Sequence, residues 1–174
     1  STSPVWLLRY MQEVRWDVER DLAPVTLASR TPNIIVVHPS LPVNSVKELV
    51  ELGRAKPGTL NWASLGTGSA SHLYMEWFQA KTGAKFTHVP YKGSPELIRA
   101  LLAGEVHILT NSPGVMLPHV KSGKLRPIAV TSASTSALFP ELPPVSASGL
   151  PGYESVVVIG MFAPSGVTDQ TVNR

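Results

Sequence analysis

Three times in this chain a short apolar run passes into a small loop rich in hydroxyls and glycine: Ser64-Leu-Gly-Thr-Gly-Ser69, Pro90-Tyr-Lys-Gly-Ser94 and Thr110-Asn-Ser-Pro113. Each loop then opens a helical pattern. Repeated strand, loop and helix junctions predict an α/β fold with a mostly parallel sheet and helices on both faces. Such a sheet sets the loops side by side at the carboxyl ends of its strands, where open α/β folds take ligands. The first N–H groups of the following helices lack intrahelical acceptors and carry partial positive charge. The pattern predicts a crevice suited to a small anion.

Punctuation along the chain places the elements. The β-branched run Asn33-Ile-Ile-Val-Val-His38, bounded by Pro32 and Pro39, predicts a buried strand. Ser45 and Glu48 form a capping-box pattern, and Val46, Leu49, Val50 and Gly53 then share one helical face. Residues 60–63 predict a strand, and Leu73, Trp77 and Ala80 mark a helix closed by Gly83. After a strand at 86–89, Ser94 is the expected N-cap and Pro95 the first helical residue, with Leu97, Ile98, Leu101 and Leu102 as the packing stripe. A strand at 106–109, a helix at 113–121 interrupted by Pro118, and a strand at 126–131 complete about five sheet strands. Residues 132–152 are rich in Ser, Pro and Gly, and 156–162 form another apolar strand. Residues 1–32 show no clean period, although Trp6, Leu7, Leu8, Tyr10 and Trp16 supply apolar weight.

Several function classes are excluded or disfavoured. A formal charge of +3 would suit nucleic acid, but Lys and Arg are scattered and form no basic arm. The chain has no cysteine, so thiolate metal sites and disulfides are absent. The longest apolar stretch, around Val156 to Ala163, is far short of the ~20 residues that span a bilayer. The N-terminus lacks a basic and apolar leader pattern, so a secretory signal, if one existed, is expected to be gone already.

Chemistry-bearing residues point to binding rather than catalysis. His38, His72, His88, His107 and His119 show no metal-ligand spacing. Structural roles fit most of them; His72, in the first turn after Ser69, is the one placed to face the crevice. Gly66-Thr-Gly-Ser69 lacks the Gly-Lys-Ser/Thr ending of a P-loop and the full dinucleotide fingerprint, so no cofactor is expected. There is no G-x-S-x-G elbow for Ser64, Ser69, Ser71 or Ser94. A Ser69/His72 hydrolase is the enzymatic alternative, and it lacks an oriented third group. Tyr91 and Lys92 offer a phenol and an ammonium beside the second loop, while Asn111 and Ser112 offer an amide and a hydroxyl at the third. The expected ligand set is Ser64, Gly66, Thr67, Gly68, Ser69, Ser71, His72, Tyr91, Gly93, Ser94, Asn111 and Ser112, with no catalytic or metal residue.

The segments Pro32-Asn-Ile-Ile-Val-Val-His-Pro39, Leu60-Asn-Trp-Ala-Ser64, Gly66-Thr-Gly-Ser69, His88-Val-Pro-Tyr-Lys-Gly-Ser94, Leu150-Pro-Gly-Tyr153 and Met161-Phe-Ala-Pro164 together resemble the Bug/TctC receptors. The resemblance runs from about Asp21 to Arg174. It implies a periplasmic solute-binding protein of the type II binding-protein fold, in which two α/β lobes hold a small carboxylate or dicarboxylate for tripartite transporter subunits in the membrane. On that pattern residues 1–32 are a remnant of the first lobe and 33–164 the second lobe. The crossover strands would lie at 33–39 and 156–164, and 165–174 would begin the return into the first lobe. The family's usual opening strand and closing helices are missing, which implies truncation at both ends and a dimer through the incomplete first lobe. Relatives that report ligand to signalling partners make a sensing module the alternative to transport. Thr110 stands where many relatives carry aspartate, which favours plain carboxylates over amino acids.

Overall fold

In the computed structural model, residues 8–10 and 13–168 are described. Trp6 and Leu7, and residues 169–174 of the expected return segment, lie outside them. The chain divides into two units, Pro32–Val156 and the pair Ser1–Thr31 with Val157–Arg174.

Pro32–Val156 is built on a five-stranded sheet. Its strands are β2 (Ile34–Val37), β3 (Asn61–Ser64), β4 (Thr87–Pro90), β5 (Ile108–Asn111) and β6 (Arg126–Val130), in the order β4-β3-β5-β2-β6. β3 pairs in parallel with β4 and β5. β2, however, runs antiparallel to both β5 and β6, so the sheet is mixed. A four-residue apolar run buried on both faces satisfies either direction equally well, and its sequence therefore holds no directional signal. The reversal brings the start of β2, Asn33, to the same sheet edge as the carboxyl ends of β3, β4, β5 and β6.

Period-two alternation divides the strand residues between two cores. Ile35, Val37, Trp62, Ile108 and Ala129 face α2 (Val46–Ala55) and α3 (Ala70–Thr82), meeting Leu49, Met75 and Phe78. Ile34, Val36, Ala63, Leu109 and Val130 face α4 (Ser94–Leu102) and α5 (Pro113–Lys121), meeting Leu97, Leu101 and Met116. The segment after β6 contributes Phe139 and Leu142 to the second core and Val145, Leu150 and Tyr153 to the first. Its prolines leave it no α-helix or strand, only a 3-10 turn at Val145–Ser148, yet it closes both layers.

The caps explain the helix boundaries. Ser45 accepts the Glu48 N–H at 3.2 Å, and Glu48 reaches back to the Asn44 N–H at 2.7 Å. Gly83 ends α3 with φ 71°. Ser94, expected as an N-cap, is instead the first residue of α4; Gly93 occupies the cap position without a side-chain bond. Pro95 already fills the first turn, where a missing N–H leaves less for a cap to satisfy.

The other unit contains a short helix α1 (Val18–Asp21), capped by Asp17, and a ribbon of β1 (Leu22–Pro32) with β7 (Val156–Pro164). Residues 34–37 form the inner strand β2 of the five-stranded sheet, and β1 is the partner of β7. β1 escaped sequence reading because the ribbon is half-exposed and its polar and proline positions leave no apolar period.

Candidate functional site

The loop between β3 and α3 is a closed hydrogen-bonded unit. Gly66 and Gly68 both take positive φ, 109° and 76°, a region that side-chain-bearing residues adopt only with strain. The Ser69 N–H donates to Gly66 O at 3.1 Å, and Ser69 Oγ caps α3 by accepting the His72 N–H at 3.3 Å. Ser71, buried, accepts the Leu65 N–H at 3.0 Å and touches Ser69 Oγ at 3.0 Å. Ser64, wholly buried at the end of β3, accepts the Gly66 N–H at 3.1 Å. The N–H groups of Thr67, Ala70 and Ser71 take no part in these bonds, and Ala70 and Ser71, as the first residues of α3, have no intrahelical acceptor.

Two imidazoles are built into this unit. Nδ1 of His72 accepts the Gly68 N–H at 3.1 Å, and its Nε2 lies 3.6 Å from Glu76 Oε1. His88, on β4, stacks on His72 with ring centroids 4.0 Å apart and planes 20° from parallel. Nε2 of His88 lies 2.5 Å from Ser64 Oγ. Burial, and then the neighbouring His72 ring, hold the His88 imidazole below its ordinary value, with Glu76 opposing. The sequence assigned His88 a structural role. The signal that places it in the site is its position two residues after the core residue Phe86, hence on the α3 face of the sheet.

The second loop joins the first through backbone. The Tyr91 N–H donates to Ser64 O at 2.9 Å, and a Cβ at Gly66 would stand 3.9 Å from Tyr91 O. The Tyr91 side chain packs instead against the α4/α5 core, and burial pushes its phenol up, with Glu105 adding and Arg99 opposing. At the third loop the Ser112 N–H donates to Asn111 Oδ1 at 2.7 Å, leaving Asn111 Nδ2 buried without a partner. Thr110, two residues after Ile108, lies on the α3 face of the sheet, as does Ser64, two residues after Trp62, and Thr110 Oγ1 is also buried and unpartnered. No hydrogen bond among the described residues links Asn111 or Ser112 to the first loop.

The enzymatic alternative finds no geometry here. Ser69 bonds the His72 backbone, whereas the His72 ring holds the Gly68 N–H, so no base faces that hydroxyl. Ser64 does contact an imidazole, but its complete burial denies a substrate access. His38 and His107 are structural: His38 Nδ1 contacts Ser40 Oγ at 2.7 Å, and His107 Nδ1 accepts the Asn61 N–H at 2.9 Å.

Residues 1–174 match the model of the tripartite tricarboxylate transporter family receptor, TctC. The chain belongs to this receptor family. BugT of Bordetella pertussis is 34% identical over 166 residues, covering 95% of this chain and 51% of BugT. A UPF0065 protein from the gbd 5' region of Cupriavidus necator is 32% identical over 171 residues, 98% of this chain and 52% of that protein. The chain thus spans about half the length of these relatives. Among solved structures, R. palustris Rpa4515 with adipate superposes with a TM-score of 0.84 at 35% identity, over 93% of this chain and 54% of Rpa4515. The periplasmic binding protein BugD gives 0.78 at 30% identity, over 87% of this chain and 51% of BugD. The matching family model is that of a receptor, and BugD is a periplasmic binding protein.

Proposed function

We propose that this TctC-family chain carries the carboxylate-binding second lobe of a periplasmic receptor that delivers a small mono- or dicarboxylate to a tripartite transporter. Pro32–Val156 is that lobe, and the flanking segments belong to the first. The observation that carries the reading is the β3–α3 loop, where two glycines at positive φ bring backbone against the N-terminus of a 13-residue helix. Such an end attracts anions through unpaired N–H groups and the helix dipole. Thr67, Ala70, Ser71 and the Ser69 hydroxyl hold one carboxylate, and Gly93, Ser94, Asn111 and Ser112 line the neighbouring wall. Relationship to an adipate-bound protein supports the ligand class.

Calorimetric titration of this chain with mono-, di- and tricarboxylates tests the reading, with the solution mass measured in the same buffer. Saturable adipate binding is expected. Gly68→Val forces a β-branched residue into a positive-φ position and should weaken binding about tenfold or more, or ~1.4 kcal/mol. Unchanged affinity in a folded Gly68→Val variant would remove the loop from the site. A folded chain that binds no carboxylate would refute an autonomous binding lobe.

A further inference from the structure

The two stacked imidazoles are more than packing, because each engages one of the loop's positive-φ glycines. His72 Nδ1 holds the Gly68 N–H directly, and His88 Nε2 contacts Ser64 Oγ, which holds the Gly66 N–H. An Nδ1 that accepts a hydrogen bond bears no proton, and Nε2, which faces Glu76, is then the protonated nitrogen of neutral His72. In this geometry the Gly68 N–H is therefore turned away from any ligand.

We propose that the His72–His88 pair takes up one proton together with the carboxylate, the proton going to His72 Nδ1. This rests on the anion reading of the β3–α3 loop. Protonated Nδ1 can no longer accept, so Gly68 releases its N–H to the incoming carboxylate, and a cation stands beside the same loop. The carboxylate and the proton stabilise each other's binding, as reciprocal linkage requires. The pair takes a single proton because two imidazolium rings with centroids 4.0 Å apart repel each other. The charged or titratable groups identified against the pair are Glu76 from α3 and, across the stack, each ring from the other's element. Ser64 from β3 and Ser69 at the loop are neutral.

Adipate titrations from about pH 5.5 to about pH 8, in buffers of different ionisation enthalpy, read the proton directly. Uptake of about one proton is expected, with affinity falling by up to roughly tenfold per pH unit above the titration of the pair. In His72→Asn, whose amide oxygen still accepts an N–H but does not titrate, uptake and pH dependence should vanish. Adipate binding without proton uptake overturns the proposal and leaves the anion reading standing; no binding at any pH overturns both. NMR of the ligand-free wild-type chain gives a second readout that needs no variant. The Gly68 amide should titrate with the midpoint of the His72 ring, and an amide unmoved while His72 titrates would overturn the coupling.

Discussion

Thr131→Val isolates one hydroxyl at the end of β6. Thr131 Oγ1 accepts the Asn33 N–H at 2.9 Å and donates its single proton to the Ser155 carbonyl, the closer of two acceptors; Asn33 O, at 3.1 Å, is the other. Asn33 and Ser155 are only 3% and 2% exposed, so water cannot replace the lost partner. Valine keeps the volume and removes the oxygen, leaving a buried N–H and a buried C=O unpaired. Each such group costs about 1–3 kcal/mol, and the carbonyl's share is the smaller because its second lone pair is easier to satisfy. The expected loss is about 2–4 kcal/mol, a fall of roughly 5–15 °C in Tm for a chain of this size. Thr131→Ser keeps the hydroxyl and loses one methyl, about 1 kcal/mol. Urea unfolding followed by near-UV circular dichroism, which reports on buried Trp62 and Tyr153, measures both variants. A Val variant as stable as wild type, or more stable than the Ser variant, would refute the assignment of the hydroxyl as the partner of both backbone groups.

Gly53→Ala should destabilise despite its position inside α2. Alanine gains about 1 kcal/mol of helix propensity, but its Cβ would lie 2.7 Å from two atoms of the buried Phe86 ring and 3.0 Å from Ala84 Cβ. Overpacking costs about 1–3 kcal/mol, so a net loss near 1 kcal/mol is expected, and a raised urea midpoint would contradict it. Stability should also fall in mild acid through His107, whose imidazole is lowered by burial and then by His38. The unfolded chain binds the proton near the ordinary value of about 6.5 and the folded chain only below it. The stabilisation is complete above the unfolded value and is lost as pH falls towards the folded one. Unfolding midpoints between pH 7 and pH 5 measure it, and His107→Asn should flatten the decline; an identical decline in the variant would refute the role of His107.

What the sequence reveals depends on how local its cause is. α2 and α3 are legible because Ser45, Glu48 and Gly83 act on their own helix ends. The five strands are legible as apolar runs, whereas the direction of β2 is not, since Ile34 to Val37 are buried on both faces. β1 carries Pro24, Thr26, Ser29 and Thr31 on a half-exposed ribbon, and a strand with little core to face leaves little period to detect. At the site, Ser64, Gly66, Gly68, Ser69, Ser71 and His72 come together because they are neighbours along one loop. His88 could not be paired with His72 from the sequence, because the parallel register of β3 and β4 is what sets them face to face.

The central place of β2 also bears on how the chain reaches its fold. β3 and β4 meet across one intervening helix, with Asn61 opposite Thr87, but Ile35 must wait for Thr110 on one side and Ala129 on the other. Pairings so distant in sequence form slowly. During that wait the chain displays Ile-Ile-Val-Val, four residues fully buried in the finished sheet and the sort of uncharged β-branched run that seeds aggregation. Pro32 and Pro39 bracket the run and cannot donate to a growing ladder of strands. They act as gatekeepers, protecting a half-folded chain from its copies until its last strands arrive.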